Sequence, residues 1–181
     1  MKPEIRIHDQ PTIRRGRLQD TELLAELGAM TFSETFAVDN TPENMAAYLA
    51  TAFAPAQIAA DLSDPHCIFQ IAETDSVAVG YAMLRSGAAP EQVTGDQPIE
   101  IVRLYVSRGS LGTGVGAALM QACIDEAKRG GHQTLWLGVW EHNNRAQAFY
   151  QKWNFREVGT QVFQLGDDPQ TDFLMQRSIS R

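Results

Sequence analysis

Apolar and polar positions recur along this chain with two periods, and the order in which the periods follow one another predicts its layout. After Pro11, residues 12–17 (TIRRGR) read as a short edge strand. Asp20 stands where an N-cap opens a helix, with Leu23, Leu24 and Leu27 recurring at helical spacing. The segment Thr31-Phe32-Ser33-Glu34-Thr35-Phe36 breaks that pattern. It leads to Thr41-Pro42, an N-cap followed by proline in the first helical position. Met45, Tyr48 and Leu49 then form the apolar face of that helix. Pro55 opens a shorter helix through Ile58 and Leu62, which stops at Asp64-Pro65.

The period then changes to two. Strands are expected over Cys67–Glu73 and Val77–Arg85 about the turn Thr74-Asp75-Ser76. A polar loop with Gly and Pro runs from Gly87 to Pro98, and Ile99–Val106 is the next strand. Gly112–Lys128 reads as a helix, with Leu119, Met120, Cys123, Ile124 and Ala127 on one face and Gly130-Gly131 ending it. Gln133–Val139 is a strand and Asn143–Trp153 a helix. Phe155–Leu165 and Thr171–Arg177 are a last pair of strands around Gly166-Asp167-Asp168-Pro169. This order predicts an α/β (α+β mixed) fold about a mixed sheet, with residues 1–181 as one domain and residues 1–11 as a flexible tail.

Composition narrows the classes. With 181 residues, 44% of them hydrophobic and 20% charged, the chain can bury a core of its own. Disordered, collagen-like and disulfide-scaffold classes are excluded. No apolar run reaches the ~18 residues that a membrane span needs. The opening MKPEIRIHDQ lacks the apolar stretch of an export signal. Cys67 and Cys123 have no ligand or CxxC spacing and read as small core residues of a reduced, cytoplasmic protein. His8, His66, His132 and His142 show no ligand spacing and no nucleophile partner, so no metal is expected.

A net charge of -7 argues against nucleic acid as a partner. The charge is unevenly spread: residues 18–100 hold thirteen Asp and Glu against Arg85 alone, while residues 101–181 hold nine Lys and Arg against seven acids. Such a division attracts a cation to one side and tolerates an anion on the other. It serves equally as a solvated acidic face that keeps the chain soluble.

The sharpest chemical feature is the run 106–117, VSRGSLGTGVGA, in which a strand enters a glycine-rich turn and the turn enters a helix. Glycines let backbone N–H groups approach a ligand and converge on it. The helix N-terminus adds roughly half a positive charge. An anion is predicted there, and phosphate is the obvious one. No Gly-Lys-Ser/Thr follows, so the turn is not a nucleotide-triphosphate loop of the Walker type. Gly112-x-Gly114-x-x-Ala117 matches a dinucleotide pattern, but Ser107–Leu111 separate it from its strand, and the ~70 residues left are too few for the further βα units such a domain needs. The glycines can also serve close helix packing alone. A pyrophosphate-bearing cofactor with a long neutral arm fits better. Its phosphates would sit on the helix N-terminus while the arm pairs with the backbone of Leu104, Tyr105 and Val106 as an added strand would. Coenzyme A has this shape.

Residues 100–106 (EIVRLYV) followed by 111–120 (LGTGVGAALM) resemble motif A of the GNAT superfamily of N-acetyltransferases. Residues 137–141 (LGVWE), then Asn143, Ala146, Phe149-Tyr150 and Lys152, with Phe155-Arg156-x-Val158-Gly159, resemble its motif B. The resemblance spans about residues 12–177. It implies a central, mixed, mostly antiparallel twisted sheet of six to seven strands flanked by helices, with acetyl-CoA at strands that splay after Val106 and Val139. It implies transfer of an acetyl group to a primary amine by direct attack in a ternary complex. Thr31-Phe32-x-x-Thr35-Phe36 with Asn40, Asn44 and Tyr48 further resembles the PaiA-like polyamine acetyltransferases. Two positions depart from the pattern. Leu111 stands where Gln or Arg opens the pyrophosphate turn, and Arg108 either supplies the missing charge or points elsewhere. Asn154 replaces a common Gly, and Asn tolerates the left-handed conformation.

By this resemblance Tyr150 lies near the coenzyme sulfur as general acid, and a phenol of reference pKa about 10 stays protonated to do so. Packing beside Phe149 is its alternative role. Glu100 occupies the position of a general base in some members, or is a strand-end charge in solvent. It shares a face with Val102 and Leu104 unless a bulge intervenes. The Val106 N–H is the implied oxyanion donor. Coenzyme contacts are implied for Leu104, Tyr105, Val106, Arg108, Leu111, Gly112, Thr113, Gly114, Val115, Gly116, Ala117, Asn143, Ala146, Phe149 and Lys152. Asn143 is also an N-cap of its own helix, and Lys152 also a solvated helix charge. The acceptor site falls to the first helices, where Glu34, Asp39 and Glu43 lie, rimmed by Phe36, Tyr48 and Trp140. An acidic, aromatic pocket suits a polyamine, and a protein N-terminus or lysine fits as well. The competing functions are acetylation of a protein or peptide, and a coenzyme-binding regulatory module without turnover. A homodimer is the family's common habit.

Overall fold

Branched and aromatic residues at alternating positions form seven strands: β1 (Thr12–Arg15), β2 (Cys67–Thr74), β3 (Val77–Ser86), β4 (Pro98–Val106), β5 (Thr134–Trp140), β6 (Arg156–Leu165) and β7 (Asp168–Ser178). In the computed structural model, which describes residues 10–179, they lie in one sheet in the order β1-β2-β3-β4-β5-β7-β6. Only β4 and β5 run parallel; the other neighbours are antiparallel. The expected tail over residues 1–11 falls outside the described residues except for Gln10 and Pro11, and so does His8. Among the described residues no helix is long and apolar enough to cross a membrane.

Helices cover both faces of the sheet. α1 (Thr21–Phe36), α2 (Pro42–Ala52) and α3 (Pro55–Ser63) pack Leu24, Phe32, Met45 and Ile58 onto one face, against Phe69, Ile71, Tyr81 and Met83. α4 (Val115–Arg129) and α5 (Asn144–Lys152) cover the other, where Leu119, Met120, Cys123 and Tyr150 meet Leu84, Ile101, Leu135 and Leu137. Each face thus has its own apolar cluster, as layered packing requires. Burial pushes the Cys123 thiol up to about 12, so it is an inert core residue.

Local chemistry moves several expected boundaries. Residues 31–36 do not break the first helix, and α1 runs through them. The Thr31, Ser33 and Thr35 hydroxyls donate to the carbonyls of Leu27 (2.7 Å), Ala29 (2.8 Å) and Thr31 (2.9 Å), so these polar side chains are satisfied inside their own helix. Asp20 precedes α1 but does not cap it. Its carboxylate accepts from Arg14 Nη1 and Nη2 (2.9 Å each) and from the Arg17 N–H (2.8 Å) instead. Thr41 caps α2 as expected, accepting from the Asn44 N–H at 3.3 Å. The β2–β3 turn is the pair Asp75-Ser76 (φ 51° and 63°), the left-handed turn that suits the strand twist. β7 begins at Asp168 rather than Thr171, since Gly166 (φ 59°) closes the hairpin tightly. Asn154 takes up the left-handed conformation at φ 63°.

The site is created by what β4 does along its length. It pairs with β5 only at Pro98–Thr134, Ile99–Leu135 and Glu100–Trp136, after which the two strands part. On its other side, Arg103 pairs with Met83 and Ile101 with Leu84, which leaves Val102 as a bulge. Simple alternation put Glu100 on the face of Val102 and Leu104. The bulge shifts the phase, so Leu104 and Val106 pack against the α4 side while Val102 and Tyr105 pack against the α1–α3 side. Glu100 therefore faces away from Leu104.

Candidate active site

A cavity of about 650 Å³ fills the gap where β4 and β5 diverge. One end is the glycine turn, with Leu111, Gly112, Gly114, Gly116 and Ala117 in its wall. The other end is aromatic, with Phe32, Phe36, Tyr48 and Phe163. Glu100, Leu104, Tyr105 and Val106 from β4 and Val139 and Trp140 from β5 lie between them.

The glycine turn is built to present N–H groups. Gly112 and Gly114 have φ 80° and 95°, so α4 begins at Val115 and not at Gly112. A Cβ at either glycine would meet no protein atom within 4 Å, so the left-handed backbone rather than crowding is what calls for glycine there. The N–H groups of Gly112, Gly114, Val115, Gly116 and Ala117 have no acceptor among the described residues, whereas the Ala118 N–H reaches the Gly114 carbonyl at 3.0 Å. A converging set of free N–H groups at the positive end of a helix is an anion cradle. The Thr113 side chain turns back, donating to the Ser110 carbonyl at 2.7 Å. The Val115 side chain is in the core, 1% exposed. Neither residue lines the cavity; Val115 can contribute only its backbone N–H, and the Thr113 N–H is taken by the Ser110 carbonyl at 3.4 Å.

The edge of β4 is open in the same gap. The Ser107 N–H donates to the Val79 carbonyl at 2.8 Å. In an antiparallel ladder the hydrogen-bonding direction alternates, so the Leu104 and Val106 N–H groups turn the other way, toward the space β5 has left. An extended chain with amide groups could pair there. Asn143 stands across the gap as the N-cap of α5; its Oδ1 accepts from the Ala146 N–H at 3.1 Å, which leaves its amide nitrogen for the cavity.

Tyr150 lines the cavity at 8% exposure, set between Phe149 and Phe155 at ring separations of 5.5 and 5.8 Å. Burial pushes its pKa well above the usual phenol value, so the hydroxyl is protonated at any physiological pH. Burial also raises the Glu100 carboxyl, against a smaller opposing pull from Arg85, its cross-strand neighbour on β3. Glu100 is thus a weakly acidic carboxyl at the split, not a strand-end charge in solvent.

The structure does not bring every expected residue to this cavity. Arg108 is tied to the end of α1: its N–H donates to Glu34 Oε2 (2.8 Å) and its Nη2 to the Glu34 carbonyl (2.7 Å). It lines a neighbouring cavity of about 340 Å³ with Glu34 and Asp39, so it does not stand in for the charge missing at Leu111. Glu43 is exposed and lines neither cavity. Arg145, in the first turn of α5, borders both and went unnoticed in the sequence, where only a basic residue just after Asn143 signals it.

Asp172 was also missed. It lines the principal cavity at 8% exposure, and burial pushes its carboxyl up to about 6 against the opposing hydrogen bond from Gln161. Gly138 makes room for this pair, since a Cβ there would lie 2.6 Å from Gln161 Nε2 and 3.0 Å from Asp172 Oδ2. An acid inside an otherwise apolar strand (TDFLM, residues 171–175) was the available signal. Arg103 completes the polar lining.

Comparison with known proteins agrees with this arrangement. The sequence model of the acetyltransferase (GNAT) family matches residues 31–155, the span from α1 through α5 to Phe155. An uncharacterized N-acetyltransferase of Mycobacterium tuberculosis is 35% identical over 162 residues, covering 90% of this chain and 99% of that protein. Among solved structures, the PaiA N-acetyltransferase of Thermoplasma acidophilum, in complex with coenzyme A, superposes with a TM-score of 0.73 at 21% identity, covering 93% of this chain and 99% of that one. A Salmonella typhimurium protein solved with acetyl-CoA does so with a TM-score of 0.64 at 21% identity, covering 96% of each chain. The split between β4 and β5, the glycine turn beyond it and the sequence relationship lead to one conclusion: this chain belongs to the acetyltransferase (GNAT) family.

Proposed function

We propose that the protein is an acetyl-CoA-dependent N-acetyltransferase that acts on a small primary amine. The observation that carries this reading is two sets of unpaired backbone donors on the wall of one cavity, at the open edge of β4 (Leu104 and Val106) and in the cradle (Gly112 and Gly114–Ala117). These groups fit a coenzyme with a pyrophosphate and an amide-bearing arm. The relatives solved with coenzyme A and acetyl-CoA support the same choice. Lys152 and Arg145, exposed on α5 and lining the cavity, support a contact with the outer phosphates.

When bound, the coenzyme supplies an acetyl thioester, and the reaction forms a C–N bond to the amine as the C–S bond breaks. Glu100 takes the amine proton, directly or through water, and its raised carboxyl is better matched to that task than an ordinary one. The Val106 N–H donates to the oxygen on which negative charge develops. Tyr150 donates its proton to the departing sulfur. Asn143 holds the arm with the amide nitrogen left over from capping.

The acceptor end of the cavity supports a small amine over a polypeptide. Gln170 Nε2 donates to Asn40 Oδ1 at 2.6 Å and the Asp167 N–H to Asn44 Oδ1 at 3.1 Å, so the β6–β7 turn is tied to α2 and the segment before it. Glu100 and Asp172 beside Phe36, Tyr48 and Trp140 suit an ammonium group, which is the support for a polyamine-like acceptor. The continuous sheet supports reading the chain as one domain. A homodimer rests on the family resemblance, and a cytoplasmic setting on cysteine usage.

The test is thiol release from acetyl-CoA with spermidine, spermine, free amino acids, lysine peptides and aminoglycosides. Turnover with small amines supports the reading. Tight coenzyme binding without turnover on this panel overturns it in favour of a regulatory module. A second result checks the cradle. Gly114→Val forces a branched residue into a left-handed position at the start of the cradle and so strains the backbone that presents the N–H groups. The expected outcome is a coenzyme Kd raised at least about tenfold by calorimetry, or about 1.4 kcal/mol; an unchanged Kd would move the phosphates elsewhere.

A further inference from the structure

Asp172 is a buried carboxylate without a counter-charge. It lines the principal cavity at 8% exposure, and no Lys, Arg or His forms an ion pair with it among the described residues. Its partner is the Gln161 amide, from the residue opposite it on β6, and that hydrogen bond only partly offsets burial, which pushes the carboxyl up to about 6. The group is therefore ionised near neutral pH, and holding an unpaired charge out of water is costly.

Register shows where the charge points. Ile99, Ile101, Leu135, Leu137 and Val139 belong to the α4 side, so by alternation Glu100, Trp136, Gly138 and Trp140 belong to the α1–α3 side. Asp172 pairs with Trp140, and its Oδ2 lies 3.0 Å from where a Gly138 Cβ would stand. The carboxylate thus leans over β5 into room that only a glycine leaves. Glu100 pairs with Trp136 on the same face, four residues back along β5 from Trp140. Gly138 lies between the two carboxylates as a bare stretch of floor.

Aromatic rings wall the Asp172 end. Phe36 and Trp140 lie 6.0 Å apart between ring centres, and Tyr48 and Phe163 lie 5.4 Å apart; all four line the cavity. The charge of Asp172 reaches Tyr48, where it adds to the burial that raises that phenol. Arg103 does not neutralise this end, because its guanidinium is turned onto the Ala52 carbonyl and the Phe53 ring. A carboxylate among aromatic faces suits a cationic nitrogen.

Resting on the acetyltransferase reading above, we infer that Asp172 is a specificity-determining residue: it anchors a second, non-reacting cationic nitrogen of the acceptor, so that the enzyme selects diamino compounds over monoamines. The reacting amine stands at the strand split with Glu100 and the coenzyme, and the far nitrogen stands over Gly138 beside Trp140. The two carboxylates are fixed to different strands, so the spacing between the acceptor's nitrogens is read as a length. A carboxylate at the far position would meet Asp172 as a like charge and is rejected.

The test compares thiol release from acetyl-CoA within pairs that differ by one terminal amino group: putrescine against butylamine, cadaverine against pentylamine, hexamethylenediamine against hexylamine. The wild type is expected to favour the diamine of at least one pair by about tenfold or more in kcat/KM, well above the roughly twofold that two equivalent ends give by number alone. In Asp172→Asn the ratio falls to about that twofold value, and in Asp172→Glu, which keeps the charge, a preference for the diamine remains. In Glu100→Gln release from both members falls and the ratio holds. The ratio is internal to each variant, so packing lost around Gly138 and Gln161 lowers both members together and leaves it unchanged. A wild type without preference for any diamine, or a ratio that survives in Asp172→Asn, overturns the inference and leaves the acetyltransferase standing. Coenzyme binding with no release from either member of any pair, nor from the wider panel, overturns the acetyltransferase reading and this one with it.

Discussion

Replacing Tyr150 by Phe is expected to lower kcat for acetyl transfer about a hundredfold, with both KM values changed less than about threefold, because only a transition-state proton donation is removed. The substitution deletes one oxygen from a ring otherwise held by Phe149 and Phe155, so the α5 side of the core keeps its packing. The hydroxyl has no structural hydrogen bond to lose among the described residues, and burial keeps it protonated. A protonated, otherwise uncommitted phenol is suited to donation and unsuited to acting as a base. A hundredfold fall corresponds to about 2.7 kcal/mol in the barrier. Thermal stability should hold within about 0.5 kcal/mol. Steady-state thiol release across pH 6–9 (roughly the range in which His and amines titrate) checks the kinetics, and thermal melting checks the stability. A loss under threefold would return Tyr150 to a packing role.

Glu100→Gln is expected to cut kcat/KM near neutral pH by about a hundredfold, with the defect shrinking as pH rises and the free amine becomes abundant. Burial raises the Glu100 carboxyl and Arg85 only partly offsets that, so the wild-type activity should show an acidic limb above the ordinary carboxylate range. The base works when deprotonated, hence activity rises with pH through that value. Stability follows the opposite sign. A carboxyl whose folded-state pKa is raised contributes its stability below the unfolded pKa and loses it as pH climbs through the folded one. Near neutrality the ionised Glu100 is therefore a burden on the fold, and the Gln variant should be no less stable than the wild type. Activity falling while the urea midpoint holds or rises is the signature of a functional carboxylate. Parallel loss of both would make Glu100 a structural partner of Arg85.

The two substitutions probe features of different legibility. Tyr150 could be read from the run Asn143-x-x-Ala146-x-x-Phe149-Tyr150, because that local run carries the resemblance to motif B and the resemblance implies its role. The side of the sheet that Glu100 faces could not. Strict alternation assigns it to the face of Leu104, and only the pairing of β4 with β3 reveals the bulge at Val102 that reverses the phase. Arg108 shows the same divide. Its place three residues before Leu111 made it a candidate for the pyrophosphate turn, yet the contacts that hold it come from Glu34, on a helix more than seventy residues earlier. Asp172 and Arg145 enter the cavity walls for that reason too: the strands and helices that carry them meet the site through packing, and no local pattern announces it.

Local rules determined a good deal of this protein. Period, caps and breakers set the order of strands and helices, because those signals act over one or two turns of chain. The glycine run determined an anion cradle, because left-handed backbone at Gly112 and Gly114 needs residues without a Cβ and the helix beyond them brings its own unpaired donors. Where hydroxyls could bond within their own helix, as at Thr31–Thr35, the sequence pattern misplaced an end that the backbone continued. Tertiary structure alone decided the rest. It decided the parting of β4 from β5 after Glu100, the meeting of Glu100 and Asp172 with Phe36, Tyr48 and Trp140 in one cavity, and the diversion of Arg108, Glu34 and Asp39 to another. Charge and polarity are properties of residues, but whether a charge is paired, buried or facing a substrate depends on groups brought together from distant parts of the chain, and that is set by packing rather than by spacing.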